Sequence, residues 1–331
     1  MMLALLLVSV AAGAVVLTGS FRTYALRRSL IDTPNVRSSH QVPTPRGGGA
    51  SIVVTVTAAL VLAPAMLGID ALPMALILAA AGVAVLGFVD DHGHVPALVR
   101  LVAQTALATA AVTTVTALLP AGSAANSLWV GRAIAIFAIV WFINLTNFMD
   151  GIDGIAASQS LSVCASMAAL SATAGAGPAL VAGPLLVAAA SVGFLVWNWP
   201  PAKIFMGDVA SGYLGCLVAF FTLRAGAISP TLADAFLILS GVFVVDASVT
   251  LVLRAIRRER LFHAHRTHAY QRLAARWRSH GAVTSLVVAV NVLWLLPMAY
   301  LVVDGRVSGA AGLALSWTPL AAGVLWVNFR E

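Results

Sequence analysis

The sequence predicts an all-α, polytopic membrane protein with about eleven transmembrane helices. Of the 331 residues, 60% are hydrophobic and only 9% are charged, whereas a soluble domain has about 25% charged residues. Apolar stretches of about 20 residues, the length that crosses a bilayer as a helix, recur along the whole chain. No tandem repeat or low-complexity linker interrupts them, so residues 1–331 are treated as a single domain.

Apolar runs between polar linkers define the predicted spans. The first, MMLALLLVSVAAGAVVLTG, lacks a basic n-region and is followed by RTYALRR, which indicates a retained span rather than a cleaved signal peptide. Cys164 and Cys216 both fall within apolar runs, which predicts packed thiols rather than a disulfide or a zinc site. The spans lie near residues 2–20, 49–68, 72–89, 98–119, 131–146, 155–174, 178–197, 209–226, 233–253, 281–303 and 309–328.

The basic residues predict the orientation of these spans. Of the 19 lysines and arginines, all but Arg132, Arg224 and Arg306 fall in linkers on one side or at the C-terminus. The positive-inside rule makes this face cytoplasmic, with the N-terminus outside and the C-terminus inside. Anionic lipid headgroups could explain much of the basic excess. The aromatic interleaving of RNA-binding proteins is missing, so nucleic acid is not an expected partner.

The acidic residues are few and clustered, since the whole chain has only 12. Asp90 and Asp91 close the third span in VAVLGFVDDHGH, Asp150 and Asp153 follow the fifth in NLTNFMDGIDG, and Asp208 follows the seventh in NWPPAKIFMGD. One acid at the end of a span is an ordinary hydrated cap. Several acids at the predicted cytoplasmic ends of separate spans instead predict a shared site on that face.

The residue types around these acids suggest phosphate and metal chemistry. Adjacent carboxylates repel each other unless a cation or a shared proton offsets the repulsion. Asp90, Asp91 and Asp208 are therefore candidate ligands of Mg²⁺, which prefers oxygen ligands and keeps positions for water and phosphate. The glycines of DGIDG and TPRGGG would let helix amides approach an anion, with Arg46 as a phosphate partner. Close helix packing is the alternative explanation for the glycines.

The last basic loop, about residues 254–280, carries His263, His265 and His268. An interfacial amphipathic helix would explain its apolar stripe, whereas three histidines beside the other motifs suggest phosphate or proton chemistry. Asp246 lies within the ninth predicted span, about two turns before its cytoplasmic end. A carboxylate at such a depth usually marks a function.

Together, GFVDD, NLTNFMDGIDGIA, FMGDVASGYLG and the histidine loop resemble the polyprenyl-phosphate N-acetylhexosamine-1-phosphate transferases, in the same order, over about residues 32–280. The resemblance implies transfer of a sugar 1-phosphate from a UDP-N-acetylhexosamine to polyprenyl (undecaprenyl) phosphate, with release of UMP and a requirement for Mg²⁺, or Mn²⁺ in its place. The site would face the cytoplasm in the bacterial inner membrane. Such a step initiates O-antigen or other cell-envelope glycan synthesis, and a homodimer is compatible with it.

The resemblance also implies roles for residues of the acceptor and metal side. Asp208 would ligate the metal, and Asp90 and Asp91 would lie where the lipid phosphate meets the diphosphate of the donor, as further candidate ligands. One of these two would deprotonate the lipid phosphate or act as nucleophile; we favour direct attack by the lipid phosphate. His265 and His268 are the best matches to the essential histidine of the family, and the choice between them is open.

The donor side is implied in the same way. Asp153 would bind uracil, Phe205 would stack on it, and positive side chains would lower the repulsion between the two phosphates. The substrate-binding candidates are Arg46, Asn147, Asp150, Asp153, Asn198, Lys203 and Phe205.

Departures from the family pattern narrow the subfamily. MraY-type members have adjacent histidines in the last loop and a lysine before the glycine stretch, where this chain has HAHRTHAYQ and, near the lysine position, Gln41. DTPNVRSSH and HRTHAYQ look closest to WbpL-type members, which use UDP-linked N-acetylated 6-deoxyhexosamines; a WecA-like specificity for UDP-GlcNAc is the alternative.

Two other classes fit the sequence less well. An ion-coupled membrane carrier would place its acids near the midplane rather than at one face. A CDP-alcohol phosphotransferase would carry the signature DG-x-x-A-R, which does not follow Gly151 or Gly154.

Overall fold

The computed structural model describes residues 1–34, 39, 42–117, 129–259 and 265–329; Gln41 and His263 lie outside this part. Long helices make up nearly all of it, and one short antiparallel pair joins β1 (Ile31–Asp32) to β2 (Thr44–Pro45). The helices are α1 (Met2–Arg27), α2 (Ala50–Leu67), α3 (Met74–His92), α4 (Ala97–Ala117), α5 (Trp129–Met149), α6 (Ile155–Thr173), α7 (Pro178–Asn198), α8 (Asp208–Ile228), α9 (Pro230–Leu239), α10 (Gly241–Ile256), α11 (Ala269–Trp277), α12 (His280–Val303) and α13 (Gly309–Phe329).

The predicted fold class is confirmed. Within the described residues, 10 helices are long and apolar enough to cross a membrane, and counting the bent pair α9–α10 as one span gives 11. Most boundaries lie close to those predicted, although α1 continues to Arg27 and α3 continues to His92. Asp90 and Asp91 therefore lie on the last turn of α3 rather than beyond it.

The ninth predicted span is the one that the structure changes most. It is not a single helix over residues 233–253, because α9 and α10 meet at Ser240 with a bend of 70°. Gly241 begins α10 against α13, where an added Cβ would lie 2.8 Å from Nε1 of Trp317. The bend needs no proline, so the sequence pattern did not reveal it.

Three helices form the centre of the bundle. The buried share of their residues is 78% in α6, 61% in α7 and 72% in α8, compared with 22% in α1, α4 and α13. α6 packs on α7, α7 on α1 and α2, and α8 on α3 and α5. Because α6 and α8 begin where α5 and α3 end, their connecting segments meet at one end of the bundle. The acidic motifs occupy this end.

Candidate active site

The ends of α3 and α8 bring three of the predicted acids together. Asp91 is 3% exposed, and its two carboxylate oxygens accept hydrogen bonds from the backbone N–H groups of Asp208 and Val209, each at 3.1 Å. Asp91 thereby satisfies two amides at the start of α8 that have no partner within the helix. Gly87 permits this close approach, because a Cβ there would overlap the Asp208 carbonyl.

Arg100 connects Asp90 to Asp208. Its Nη1 donates to Oδ2 of Asp208 at 2.8 Å and also to Oδ2 of Asp90, while Oδ1 of Asp90 accepts from the backbone N–H of Val95 at 2.8 Å. The guanidinium therefore offsets the repulsion between the two carboxylates. Sequence reasoning counted Arg100 only as a linker cation. The available signal was its place in the apolar stretch VRLVAQ, where an arginine is costly unless it is paired.

Asp150 lies on the turn between α5 and α6, close to the same cluster. Burial, together with the negative charges of Asp208, Asp91 and Asp153, raises the pKa of Asp150 to about 8. Such crowding of like charges is relieved by a cation or a proton. Asn147, one turn earlier, donates to Oγ of Ser211 at 3.0 Å. The structure thus gathers Asp90, Asp91, Asp150 and Asp208, while their individual roles stay predictions.

The carboxylate oxygens of this cluster suit a divalent cation that keeps several of its own water ligands. Carboxylate oxygens are the protein ligands that Mg²⁺ prefers, and Mg²⁺ typically uses one or two of them together with water and phosphate. Among the described residues, no three His, Cys, Asp or Glu side chains form a ready metal-binding group. Asp91 is 3% exposed, whereas the side chains of Asp90 and Asp208 are 10% and 33% exposed, so Asp90 and Asp208 are the better candidates for direct ligands.

A cleft of about 1450 Å³ lies near the acidic cluster, since Asp153 in its lining is close enough to Asp150 for its charge to act on that carboxyl group. Asp153 and Phe205 line it, together with Arg266, Arg272 and other residues of the segment that leads into and through α11. Oδ2 of Asp153 accepts from the backbone N–H of Ala202 at 3.1 Å. The cleft therefore combines an aromatic ring, a fixed carboxylate and several arginines, a combination that suits a nucleoside diphosphate.

The glycine-rich segment TPRGGG holds one edge of this region. The backbone N–H of Phe205 donates to Pro45 O at 2.8 Å, and that of Gly48 donates to Phe205 O at 3.0 Å. Nη2 of Arg46 donates to the backbone carbonyl of Asp91 at 2.6 Å. Arg46 thus lies beside the acidic cluster as expected, and its pairing with phosphate stays a prediction.

Of the seven predicted substrate-binding residues, Asp153 and Phe205 line the cleft. Arg46, Asn147 and Asp150 lie at the acidic cluster instead, and Asn198 and Lys203 have other surroundings. Asn198 is 3% exposed; its Oδ1 accepts from the backbone N–H of Gly154 at 3.0 Å and its Nδ2 donates to Ile204 O at 2.9 Å. Asn198 therefore fixes the loops around Asp153. Nζ of Lys203 lies over the ring of Trp197, 5.7 Å from its centroid. In this structure Lys203 therefore packs on Trp197, and its contact with the donor stays a prediction.

The histidine loop is organised by Asp246, which is 4% exposed. Its carboxylate oxygens accept from the backbone N–H groups of Ala269 and Tyr270, each at 3.0 Å, and so cap the start of α11. Oδ1 of Asp246 also lies 3.4 Å from Nδ1 of His268. Sequence reasoning noticed Asp246 but gave it no role, because the cap joins residues 23 and 24 positions apart.

The two candidate histidines have different surroundings. His268 is 1% exposed and stacks on His265, with 4.9 Å between ring centroids. Nδ1 of His265 lies 2.9 Å from Oγ1 of Thr267. Neither ring lines the cleft. In this arrangement His268 is buried and packs inside the histidine loop. The question of which histidine is essential stays open.

α11 also contacts the turn that carries Asp150. The hydroxyl of Tyr270 donates to Phe148 O at 2.9 Å, and a Cβ at Gly151 would overlap this hydroxyl. Burial, followed by the charges of Asp246 and Asp150, raises the pKa of Tyr270 well above its ordinary value, so the hydroxyl stays a neutral donor. The histidine loop and the acidic turn are therefore one packed unit.

Known proteins are similar to this chain in sequence. The sequence profile of glycosyl transferase family 4 matches residues 73–226. The decaprenyl-phosphate N-acetylglucosaminephosphotransferase of Mycobacterium tuberculosis is 30% identical over 319 residues, covering 86% of this chain and 77% of its own length. A Bacillus subtilis protein named as a probable undecaprenyl-phosphate N-acetylglucosaminyl 1-phosphate transferase is 29% identical over 286 residues, covering 84% and 79%.

A third relative matches a shorter stretch. The phospho-N-acetylmuramoyl-pentapeptide-transferase of Carboxydothermus hydrogenoformans is 34% identical over 167 residues, 49% of each chain. The profile match covers the segment that carries Asp90, Asp91, Asp150, Asp153 and Asp208, and the longer matches extend over most of the chain. This chain therefore belongs to glycosyl transferase family 4, among the polyprenyl-phosphate N-acetylhexosamine-1-phosphate transferases.

Proposed function

We propose that the chain transfers an N-acetylhexosamine 1-phosphate from a UDP-sugar to a polyprenyl phosphate, such as undecaprenyl phosphate, and releases UMP. The observation that supports this most is the position of the Asp90–Arg100–Asp208 cluster beside the cleft that holds Asp153 and Phe205. The cluster suits reacting phosphates, and the cleft suits a nucleotide. Relatives named for transfer to undecaprenyl or decaprenyl phosphate support the same acceptor class.

In the proposed reaction, an oxygen of the lipid phosphate attacks the phosphorus atom that bears the sugar. A phosphorus–oxygen bond forms between the two substrates, the bond to UMP breaks, and UMP leaves with the electron pair. Arg100 holds the lipid phosphate in line, and one of the two neighbouring aspartates, Asp90 or Asp91, accepts the proton when that phosphate arrives singly ionised. Direct attack is preferred because it requires no covalent intermediate on the enzyme.

Mg²⁺, or Mn²⁺ in its place, would be held by Asp208 and Asp90 and would supply neutralisation of the diphosphate charge. Asp91 keeps Asp208 at the start of α8 through its two backbone hydrogen bonds. In the cleft, Asp153 accepts an N–H of uracil and Phe205 stacks on the base. Arg266 and Arg272, on the same wall, face the negative charge of the donor.

The identity of the sugar is a separate proposal. The two long relatives are named for N-acetylglucosamine, which supports the WecA-like alternative, UDP-GlcNAc, as the first donor to test. The HRTHAYQ segment supports an N-acetylated 6-deoxyhexosamine as the second. Because UDP-sugars are made in the cytosol and the basic linkers predict a cytoplasmic face, we place the site on the inner side of the bacterial cytoplasmic membrane, with the N-terminus outside. The product would initiate O-antigen or another cell-envelope glycan.

The experiment that tests the proposal uses the full chain, purified in detergent. Transfer of label from UDP-[¹⁴C]GlcNAc to undecaprenyl phosphate is measured with Mg²⁺, with EDTA, and across a panel of UDP-sugars, and UMP is quantified in parallel. We expect lipid-linked label and UMP in equal amounts, and none of either with EDTA. Release of UDP instead of UMP would contradict the reaction, and transfer that persists in EDTA would contradict the metal assignment.

A further inference from the structure

His280 is the first residue of α12 and lies in the wall of the cleft beside Asp153. Its Nδ1 is 3.2 Å from Oδ1 of Asp153, and the two side chains are 17% and 12% exposed. The same nitrogen lies 3.4 Å from the backbone N–H of Asp153. The imidazole therefore bonds to Asp153 in either tautomer, as a donor to the carboxylate or as an acceptor from the amide.

The other ring nitrogen reaches a different part of the chain. Nε2 of His280 is 3.1 Å from the backbone carbonyl of Ser39, and Ser39 also lines the cleft. Carbonyl and carboxylate oxygens only accept, so Nε2 must carry a proton to bond to Ser39, and Nδ1 must carry one to bond to the Asp153 carboxylate. The two bonds together therefore require the imidazolium form. One imidazole thus joins Asp153, on the α5–α6 turn, to Ser39, which is distant in sequence and lines the same cleft.

α12 also holds the backbone of Asp153. Oγ1 of Thr284, one turn after His280, donates to the backbone carbonyl of Asp153 at 2.9 Å. The second carboxylate oxygen of Asp153 is occupied by the backbone N–H of Ala202. The two carboxylate oxygens therefore contact different neighbours, and the contact of Oδ1 with His280 is made by a side chain that can be substituted.

We propose that His280 is a positioning residue for donor recognition: it orients the Asp153 carboxylate toward the N–H groups of the nucleobase and ties it to the Ser39 segment. The inference rests on the proposed function, since it presupposes a nucleotide donor in the cleft. His280 acts through Asp153, at the recognition side, and not on the transferred phosphate. Its removal should therefore weaken donor binding and spare turnover at saturating donor.

Three substitutions separate the two bonds of His280. The amide nitrogen of Asn reaches about as far as Nδ1, and that of Gln about as far as Nε2. We expect His280→Ala to raise KM for the UDP-sugar about tenfold, the loss of one charge-assisted hydrogen bond, with kcat and the KM for polyprenyl phosphate unchanged. His280→Asn should recover most of the donor KM, and His280→Gln should recover little of it.

A double-mutant cycle gives the matched control. If His280 acts through the Asp153 carboxylate, His280→Ala should add little to the effect of Asp153→Ala, whereas independent residues would give additive effects. Thermal denaturation of each variant, and calorimetric binding of UMP, report folding and donor affinity separately from transfer.

The outcomes distinguish this inference from the proposed function. A wild-type chain that transfers the sugar phosphate, with an unchanged donor KM in His280→Ala, overturns the role of His280 alone. A fall in kcat with equal rises in both KM values also overturns it, because it indicates general distortion. A wild-type chain that neither transfers from any UDP-sugar nor binds UMP overturns the proposed function, and the role of His280 with it.

Discussion

The acidic cluster and the donor cleft lie side by side but are built in opposite ways. The cluster consists of helix ends: Asp90 and Asp91 finish α3, Asp208 starts α8, and Arg100 lies on α4. The cleft is built largely from connecting segments, such as those that carry Asp153 and Phe205. Helix ends fix reacting groups with short backbone contacts, whereas loops can vary in sequence to suit different ligands.

Substitutions in the two regions should therefore affect different kinetic constants. Changes in the cluster should lower turnover, because they alter the groups that we propose to contact the phosphates and the metal. Changes in the cleft should raise the donor KM, because they weaken interactions with the nucleotide that are equally strong in the ground state and in the transition state.

The largest expected effect is that of Asp208→Asn. The substitution keeps the shape of the side chain but removes the negative charge beside Arg100 and the presumed cation, so we expect kcat to fall by about 10³-fold or more. Steady-state transfer and UMP binding should be measured together, and UMP binding should be retained. Asp70→Asn is the matched control, since Asp70 is an exposed acid in the α2–α3 connection. An active Asp208→Asn enzyme would end the metal assignment.

Arg100→Gln should have the next largest effect. It leaves Asp90 and Asp208 close together without their shared guanidinium, and removes the proposed partner of the lipid phosphate. We expect kcat to fall about 10²-fold, a typical cost of losing a supporting contact at a metal site, with donor KM little changed. Arg100→Lys should recover part of the rate. An increased donor KM with normal kcat would instead indicate that Arg100 acts in donor binding and not in turnover.

Much of the fold and part of the site followed from the sequence. The spans were predictable because a bilayer requires long apolar runs, and the acidic motifs were noticeable because charge is rare in this chain. The bend at Ser240 was not predictable, since it depends on packing of Gly241 against Trp317 rather than on a helix-breaking residue.

Partners that meet only in the folded chain were also missed. Neither Arg100 nor His280 was singled out from the sequence, because the acidic partners of these residues come from distant parts of the chain. The contact of Lys203 with Trp197 was missed in the same way, and the role of Lys203 in donor binding stays a prediction.

Asp246→Asn tests a residue that belongs to neither region but supports both, through the histidine loop. Asn keeps one acceptor oxygen but cannot accept from both Ala269 and Tyr270 as the carboxylate does. We expect a lower thermal denaturation midpoint and a fall in kcat/KM of about tenfold. Thr250→Val is the matched control, because it removes the one side-chain hydrogen bond of Asp246 within α10 and leaves the cap of α11 intact. Equal effects of the two changes would show that the cap is not what matters.

The smallest expected effect is that of Lys203→Gln, and it tests the boundary of the cleft. Lys203 is exposed and its ammonium group lies over Trp197 rather than toward Asp153 or Phe205, although its neighbours in sequence line the cleft. Loss of an exposed cation–π contact should change kcat/KM by less than about twofold. Arg46→Gln is the informative comparison, since Arg46 contacts the Asp91 carbonyl and should cost more. A large rise in donor KM for Lys203→Gln would mean that the segment from Pro200 to Phe205 rearranges around the donor, so that this part of the cleft forms only when the nucleotide binds.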